Sequence, residues 1–298
     1  MNLEAPIQRE QSSFEFLARE FVHGGHLLAL GTASIAGFAA ILMGRAPALS
    51  LLVMAYVFSL GAYMINRGAE IEEDGFSHPE RTRHLYARRR YLPFVAVSCF
   101  ALGYALAAFA NIPFFLALLA PLILALAYSV GSKKFLRLIG VKRLKEKLLA
   151  KNVVVSFGWS LIPLLVGLYY QSLGTVVLLL APFVFLRLFV GTIFFDARDT
   201  EGDRKNGIRT IPTVYGFIRS FKLMDALDIA SGIYIFALMI LNFLPQYAAI
   251  MLLFPVYSWL LRFFAQKHPS WMGMLCDVAC DGEYLLWGPV IVLGTILA

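Results

Sequence analysis

The stretch TVVLLLAPFVFLRLFVGTIFFDARDTEGDRK, residues 175–205, changes character midway. From Thr175 to Phe195 it is apolar apart from Arg187, and it reaches the ~20 residues that a helix needs to cross hydrocarbon. It then turns polar at once. Asp196, Asp199 and Asp203 stand at i, i+3 and i+7, which on a helix puts three carboxylates on one face. A single charge at a bilayer centre costs roughly 2.5–3.5 kcal/mol on insertion scales, so three acids at a membrane boundary require a compensating cation. Arg187 does not supply it. At 100° per residue it points to the helix face opposite Asp196, and its partner is expected on another helix or in the bundle interior.

The rest of the chain has the same membrane character. Of its 298 residues 59% are hydrophobic and only 15% charged, with mean hydropathy +0.72, whereas soluble domains carry about a quarter charged residues. Nine apolar runs fall near 22–43, 47–66, 91–110, 113–130, 152–170, 174–195, 222–242, 246–264 and 280–298. Their connections alternate. Gly44–Ala46, Ala110–Ile112, Gln171–Leu173 and Phe243–Pro245 are short, with Arg45 their sole Lys or Arg. Arg67–Arg90, Gly131–Lys151, Ala197–Phe221 and Ala265–Ala279 are long and hold most of the charge. The positive-inside rule therefore predicts a cytoplasmic N-terminus, four cytoplasmic loops and a C-terminus outside, in a cytoplasmic or inner membrane. It also accounts for much of the +7 net charge as topology and attraction to anionic lipid, and no nucleic-acid partner is expected. Met1 to Glu20 is polar and predicts no cleavable signal. Ser12 to Phe21 and Phe135 to Leu149 mix apolar and charged residues at helical spacing, as interfacial helices do. Cys99, Cys276 and Cys280 are too dispersed for a disulfide framework. His23 and His26 read as packing or interfacial residues, and Asp281 either caps the last helix or faces the pocket, capping being the first choice.

A second acidic cluster closes the second span: Asn66, Glu70 and Asp74 at i, i+4 and i+8, with Glu72 and Glu73 alongside. Asn66, Glu70, Glu73 and Asp74 share a helix face at the same expected depth as the Asp196 cluster. Two helix ends with convergent oxygen ligands make a hard-cation site. Mg²⁺ favours one or two carboxylates plus substrate phosphates over an all-protein cage, and between carboxylates and a diphosphate it turns repulsion into attraction.

These two patterns resemble the aspartate-rich motifs of the UbiA superfamily of membrane prenyltransferases. The second match runs from Asp196 through Asp199-Thr-Glu-Gly-Asp203-Arg-Lys-Asn-Gly-Ile-Arg-Thr210-Ile-Pro212 to Gly216. Nine spans and charged cytoplasmic loops agree with it. The resemblance implies that Asn66, Glu70, Asp74, Asp196, Asp199 and Asp203 bind an isoprenyl diphosphate donor through Mg²⁺. Glu70 stands where the family usually has Asp, and Arg81-Thr82-Arg83-His84 lacks the Arg-Pro that commonly completes the next motif. Tyr128-Ser129 followed by Lys133 and Lys134 resembles the family's Tyr-Ser and basic residue; it implies that Tyr128 lines the pocket and that Lys133 or Lys134 meets the diphosphate. Membrane anchoring explains those lysines equally well. Arg67, Lys151 and Arg204 complete the candidate diphosphate contacts.

The expectation is thus an all-α, single-domain protein over residues 1–298, with nine transmembrane helices around a cytoplasm-facing cavity. The expected reaction is Mg²⁺-dependent prenyl transfer from a polyprenyl diphosphate to a hydrophobic acceptor in the lipid bilayer. An aromatic quinone or chlorin precursor is the first choice of acceptor, and a glyceryl-ether phosphate the second. The contrasting class is a Mg²⁺ transporter, but transporters place ionisable residues at mid-membrane on broken helices, whereas these acids gather at one edge.

Overall fold

The computed structural model describes residues 13–71, 79–129 and 148–298. All regular structure among them is helical, with no strand. In chain order the helices are α1 Ser13–His23, α2 His26–Leu42, α3 Leu49–Glu70, α4 Pro79–Tyr86, α5 Leu92–Ala108, α6 Ile112–Ala117 and α7 Leu119–Ser129. They continue with α8 Ala150–Tyr169, α9 Thr175–Lys205, α10 Ile211–Tyr215, α11 Phe217–Ile240, α12 Leu253–Lys267 and α13 Asp281–Leu297. A 3-10 segment, Gln246–Leu252, leads into α12, and a π-helical segment, Leu275–Cys280, leads into α13.

Among the described residues six stretches are long and apolar enough to cross a membrane, and seven are if the bent pair α1–α2 counts as one. The nine expected spans are therefore not all matched by single long helices. Leu92–Ala108 and Ile112–Leu126 are apolar but shorter; they stand where the third and fourth spans were expected. The first span is also shorter than the hydropathy run suggests, because the chain bends by 54° between α1 and α2. The cause is Gly24-Gly25: Gly25 has φ +83°, and a Cβ on Gly24 would lie 2.3 Å from the Glu20 carbonyl oxygen. The helix breaks there, leaving α1 with Phe14 and Leu17 exposed, as an interfacial helix requires. The second amphipathic stretch lies mostly outside the described residues.

Helix α9 is 31 residues long, or about 46 Å at 1.5 Å per residue. That exceeds the ~30 Å hydrocarbon core, so its acidic last turns extend past the apolar layer without interrupting the helix. The principal pairings are α13 on α2, α8 on α9 and α3 on α5. Small residues permit the close approaches: Gly103 faces the Phe58 ring, and a Cβ on Gly191 would lie 2.4 Å from the Tyr284 hydroxyl. The main core gathers Phe38, Phe183 and Phe254 around the fully buried Trp287, with ring centroids 5.0–5.3 Å from it. A second core joins Val190, Ile193 and Phe194 of α9 to Phe221, Met224 and Leu261. Outward-facing side chains such as Phe94, Ile123, Ile229, Phe236 and Ile296 are exposed and apolar, forming a surface suited to lipid.

Arg187 finds its partners inside this bundle. Its Nη2 donates to Glu283 Oε1 and Oε2 at 2.6 and 2.8 Å and to the Phe254 carbonyl at 3.1 Å, while Nη1 donates to Asp228. Arg262 lies 2.6 Å from the other oxygen of Asp228 and donates to Asp225 and Ser258. Arg187, Asp228, Arg262 and Glu283 are all buried. The group ties α9, α11, α12 and α13 together, and mutual pairing offsets the cost of holding these charges away from water.

Candidate active site

One cavity of about 450 Å³ runs between α2, α3, α5, α7, α8, α9 and α13, within the range of sites that enclose a small-molecule ligand. Its two ends differ in chemistry. Leu51, Met54, Phe58, Phe100, Phe114, Leu118, Ile162 and Leu188 line the apolar depth. Asn66, Arg67, Arg81, Lys151, Arg198, Asp199, Asp277 and Asp281 line the polar end. The helix directions explain the division. Asn66 and Arg67 end α3, Lys151 begins α8, Arg198 and Asp199 lie in the last turns of α9, and Asp277 and Asp281 precede or open α13. Every one of these positions borders one of the four long charged connections, so the bundle brings all four loop ends to one mouth.

The three acids of α9 have separate surroundings. Asp196 is fully buried and does not line the cavity. Its Oδ1 accepts from Lys151 Nζ at 3.0 Å and its Oδ2 from Asn152 Nδ2 at 2.7 Å, so it pins α9 to the start of α8. Asp199 faces the cavity, and Arg198 grips it with Nε on Oδ1 at 2.8 Å and Nη2 on Oδ2 at 3.1 Å. The guanidinium also donates to Asp277 and lies 5.0 Å from the Phe195 ring centroid. Asp203 is partly buried, and its Oδ2 is sealed from solvent with no hydrogen-bond partner among the described residues. An orphan carboxylate oxygen of this kind costs about 1–3 kcal/mol, which a bound cation or donor would relieve.

Asn66 and Arg67 stand on the cavity wall, with the Arg67 guanidinium 5.2 Å from the Tyr63 ring. Lys151 is also on the wall, while Arg204 is exposed and does not line the cavity. Glu70 and Tyr128 belong to α3 and α7, but their side chains are not among those described; Asp74, Lys133 and Lys134 lie outside the described residues altogether.

Five acidic, basic or imidazole residues of the wall are additions to the expected set: His23, Arg81, Arg198, Asp277 and Asp281. For Asp281 this is a correction. It does not cap its helix: the N-cap position is Cys280, without a side-chain capping bond. The i, i+4 spacing of Asp277 and Asp281 was a usable signal, since it aligns both on one face. The signal for Arg81 was the partial motif Arg81-Thr82-Arg83-His84; helical spacing added none, because α4 is a short polar helix whose docking depends on its neighbours. Part of that docking is a clasp in which Glu20 of α1 accepts from His84 at 2.7 Å and pairs with Arg88 at 2.5 Å. Burial alone would raise the Glu20 pKa; the bonds and charges of His84 and Arg88 outweigh it and hold Glu20 below the ordinary glutamate value.

No group of three or more His, Cys, Asp or Glu among the described residues forms a metal cage. What is present is three wall carboxylates (Asp199, Asp277 and Asp281), the orphaned oxygen of Asp203 and neighbouring cations. That donor set fits a hard cation shared with phosphate oxygens.

The fold and the site define a class of helical membrane protein with an apolar pocket capped by acids and cations. The chain belongs to the UbiA prenyltransferase family, whose model matches residues 27–270. It is an integral membrane protein. Among solved structures it is similar to a UbiA homologue from Archaeoglobus fulgidus, at 18% identity over 94% of this chain and 96% of that one, with a TM-score of 0.63. The same homologue bound to GPP and Mg²⁺ matches at 17% identity over 95% of this chain and 100% of that one, with a TM-score of 0.62. A digeranylgeranylglyceryl phosphate synthase matches at 18% identity over the same shares, with a TM-score of 0.56. No curated protein sequence matches the chain.

Proposed function

We propose that this protein, acting as a single domain, transfers a prenyl group from an isoprenyl diphosphate to an acceptor that partitions into the membrane, and that it requires Mg²⁺. The observation that carries this reading is the cavity's division into an ionic mouth and an apolar, aromatic depth, matching a ligand with a charged head and a hydrocarbon tail. That related proteins have been captured with GPP or DMAPP and Mg²⁺ supports it. The mouth opens to the cytoplasm, by the charge of the loops that border it.

Asn66, Glu70, Asp74, Asp199 and Asp203 would hold the metal, with Asp196 setting the position of α9 beside them. The metal's contribution is to neutralise charge on the leaving diphosphate. Arg67, Arg81 and Lys151 face the same group from three helices, with Lys133, Lys134 and Arg204 as further candidates. As the allylic carbon–oxygen bond breaks, these cations stabilise the charge passing to the leaving oxygen. The departing carbon becomes an allylic cation, which the water-poor cavity protects until the acceptor attacks. Phe58, Phe100 and Phe114 present aromatic faces that stabilise such a cation. The acceptor then loses a proton. An aromatic quinone or chlorin precursor suits the aromatic walls. A transporter is disfavoured because the deep ionisable residues, Arg187, Asp228, Arg262 and Glu283, pair with each other and do not line the cavity.

The test is diphosphate release from geranylgeranyl diphosphate by detergent-purified protein, with and without Mg²⁺, across aromatic acceptors and a glyceryl-ether phosphate. Release that needs both Mg²⁺ and an aromatic acceptor is expected. Release with the ether phosphate alone would replace the acceptor class, and none with any acceptor would falsify the enzymatic reading. Glu70→Gln keeps the side-chain size but removes a charge; it is expected to raise the donor KM or lower turnover about tenfold. Full activity in that variant would remove the α3 cluster from the metal site.

A further inference from the structure

We infer that Asp277 is a positioning residue for donor binding, acting through Arg198; this rests on the diphosphate reading above. Arg198 divides its guanidinium between two carboxylates on the cavity wall. One edge, Nε and Nη2, covers both oxygens of Asp199, and Nη1 holds Asp277. Asp199 comes from the second acidic motif. Asp277 lies outside both motifs, in the six-residue π-helical segment that leads into α13. Such π segments are concentrated at functional sites, because the wider turn re-aims side chains that a regular helix would direct elsewhere. Here it sets Asp277 opposite the last turns of α9.

The physical consequence is an exchangeable counter-ion. Without ligand, Arg198 offsets the charge of Asp199, which is partly buried. Once Asp199 engages a divalent cation, the adjacent guanidinium and the ion repel each other, and Arg198 must turn its Nε–Nη2 edge elsewhere. Asp277 supplies the pivot. Held by Nη1, the guanidinium stays on the cavity wall and its freed edge can donate to diphosphate oxygens, for which the planar fork is well matched. Lacking Asp277, Arg198 loses a partner that holds it away from Asp199, and metal binding must compete against a tighter grip.

Donor-free protein in detergent provides the test, with Mn²⁺ as the probe and free Mn²⁺ read by electron paramagnetic resonance. Asp277→Asn is expected to raise half-saturating Mn²⁺ about tenfold and to raise donor KM by more than it lowers kcat. Arg198→Gln is expected to shift Mn²⁺ binding the other way, tighter by several-fold, while also raising donor KM. The decisive measurement is the double variant. If Asp277 acts through Arg198, Asp277→Asn changes Mn²⁺ binding less than twofold in the Arg198→Gln background. If the tenfold loss persists there, Asp277 is a simple through-space charge and the proposal is overturned. Asp277→Glu, which keeps the ion pair, controls for folding and is expected to restore binding to within about threefold of wild type; failure to do so also overturns it. A wild type that binds no Mn²⁺ without donor overturns this inference and leaves the metal-dependent reading to the Mg²⁺ release assay, since a cation shared with phosphate oxygens needs the donor; equal binding by all variants also overturns this inference.

Discussion

Asp199→Ala is expected to lower Mg²⁺-dependent diphosphate release from geranylgeranyl diphosphate by about 10²–10³-fold, the usual scale for removing one preorganised electrostatic contact in an enclosed site. The reason is geometric. Among the acids of α9, Asp199 is the one on the cavity wall, while Asp196 is committed to Lys151 and Asn152. Alanine there removes the oxygen pair that the proposed metal would engage and also leaves Arg198 without one of its carboxylates. Both changes act on the charge balance at the leaving diphosphate. The backbone is expected to tolerate alanine, which has the highest helix propensity. The loss should therefore appear in turnover while the variant still elutes as folded protein. Wild-type release by Asp199→Ala would remove this carboxylate from the chemistry.

Arg187→Met is expected to give the largest loss of stability, about 3–5 kcal/mol, because removing one partner strands the others as buried, uncompensated charge. Glu283 and Asp228 are both buried and both bound to this guanidinium. Denaturant or thermal unfolding in detergent measures the loss. Replacing Arg187, Asp228, Arg262 and Glu283 together by apolar residues of similar size should recover much of it, as exchanges of whole buried ion groups do. An Arg187→Met protein as stable as wild type would mean that water reaches the group and that the four-helix brace contributes little.

The same residues mark how far the sequence can be read. The apolar runs, the long polar end of α9 and the two acidic motifs are all local patterns: run length and spacing along one helix. They led to the family through Asp196–Gly216 and Asn66–Asp74 without any knowledge of packing. The opposition of Arg187 and Asp196 was also readable, since it follows from 100° per residue alone. The identity of the partners was not. Arg187 pairs across 96 positions with Glu283 and across 41 with Asp228, and nothing in helical periodicity selects those two among the chain's other acids. Asp281 looked like a cap because it precedes an apolar run; the π-helical segment moved the helix start and turned it to the cavity.

The division follows from what each kind of information controls. Burial in lipid and hydrogen bonding within a helix act over tens of residues of contiguous chain, so composition and spacing decided that this is a helical membrane protein with two acidic helix ends. Which carboxylate meets the cavity depends on the rotation of each helix about its axis and on the depth at which it docks. Those are set by side chains on neighbouring helices, such as Gly191 against Tyr284 or Gly103 against Phe58. Tertiary packing alone therefore decided that Asp196 is a tie to α8, that Asp199 is the α9 acid on the cavity wall, and that Arg81, Asp277 and Asp281 join it at the mouth.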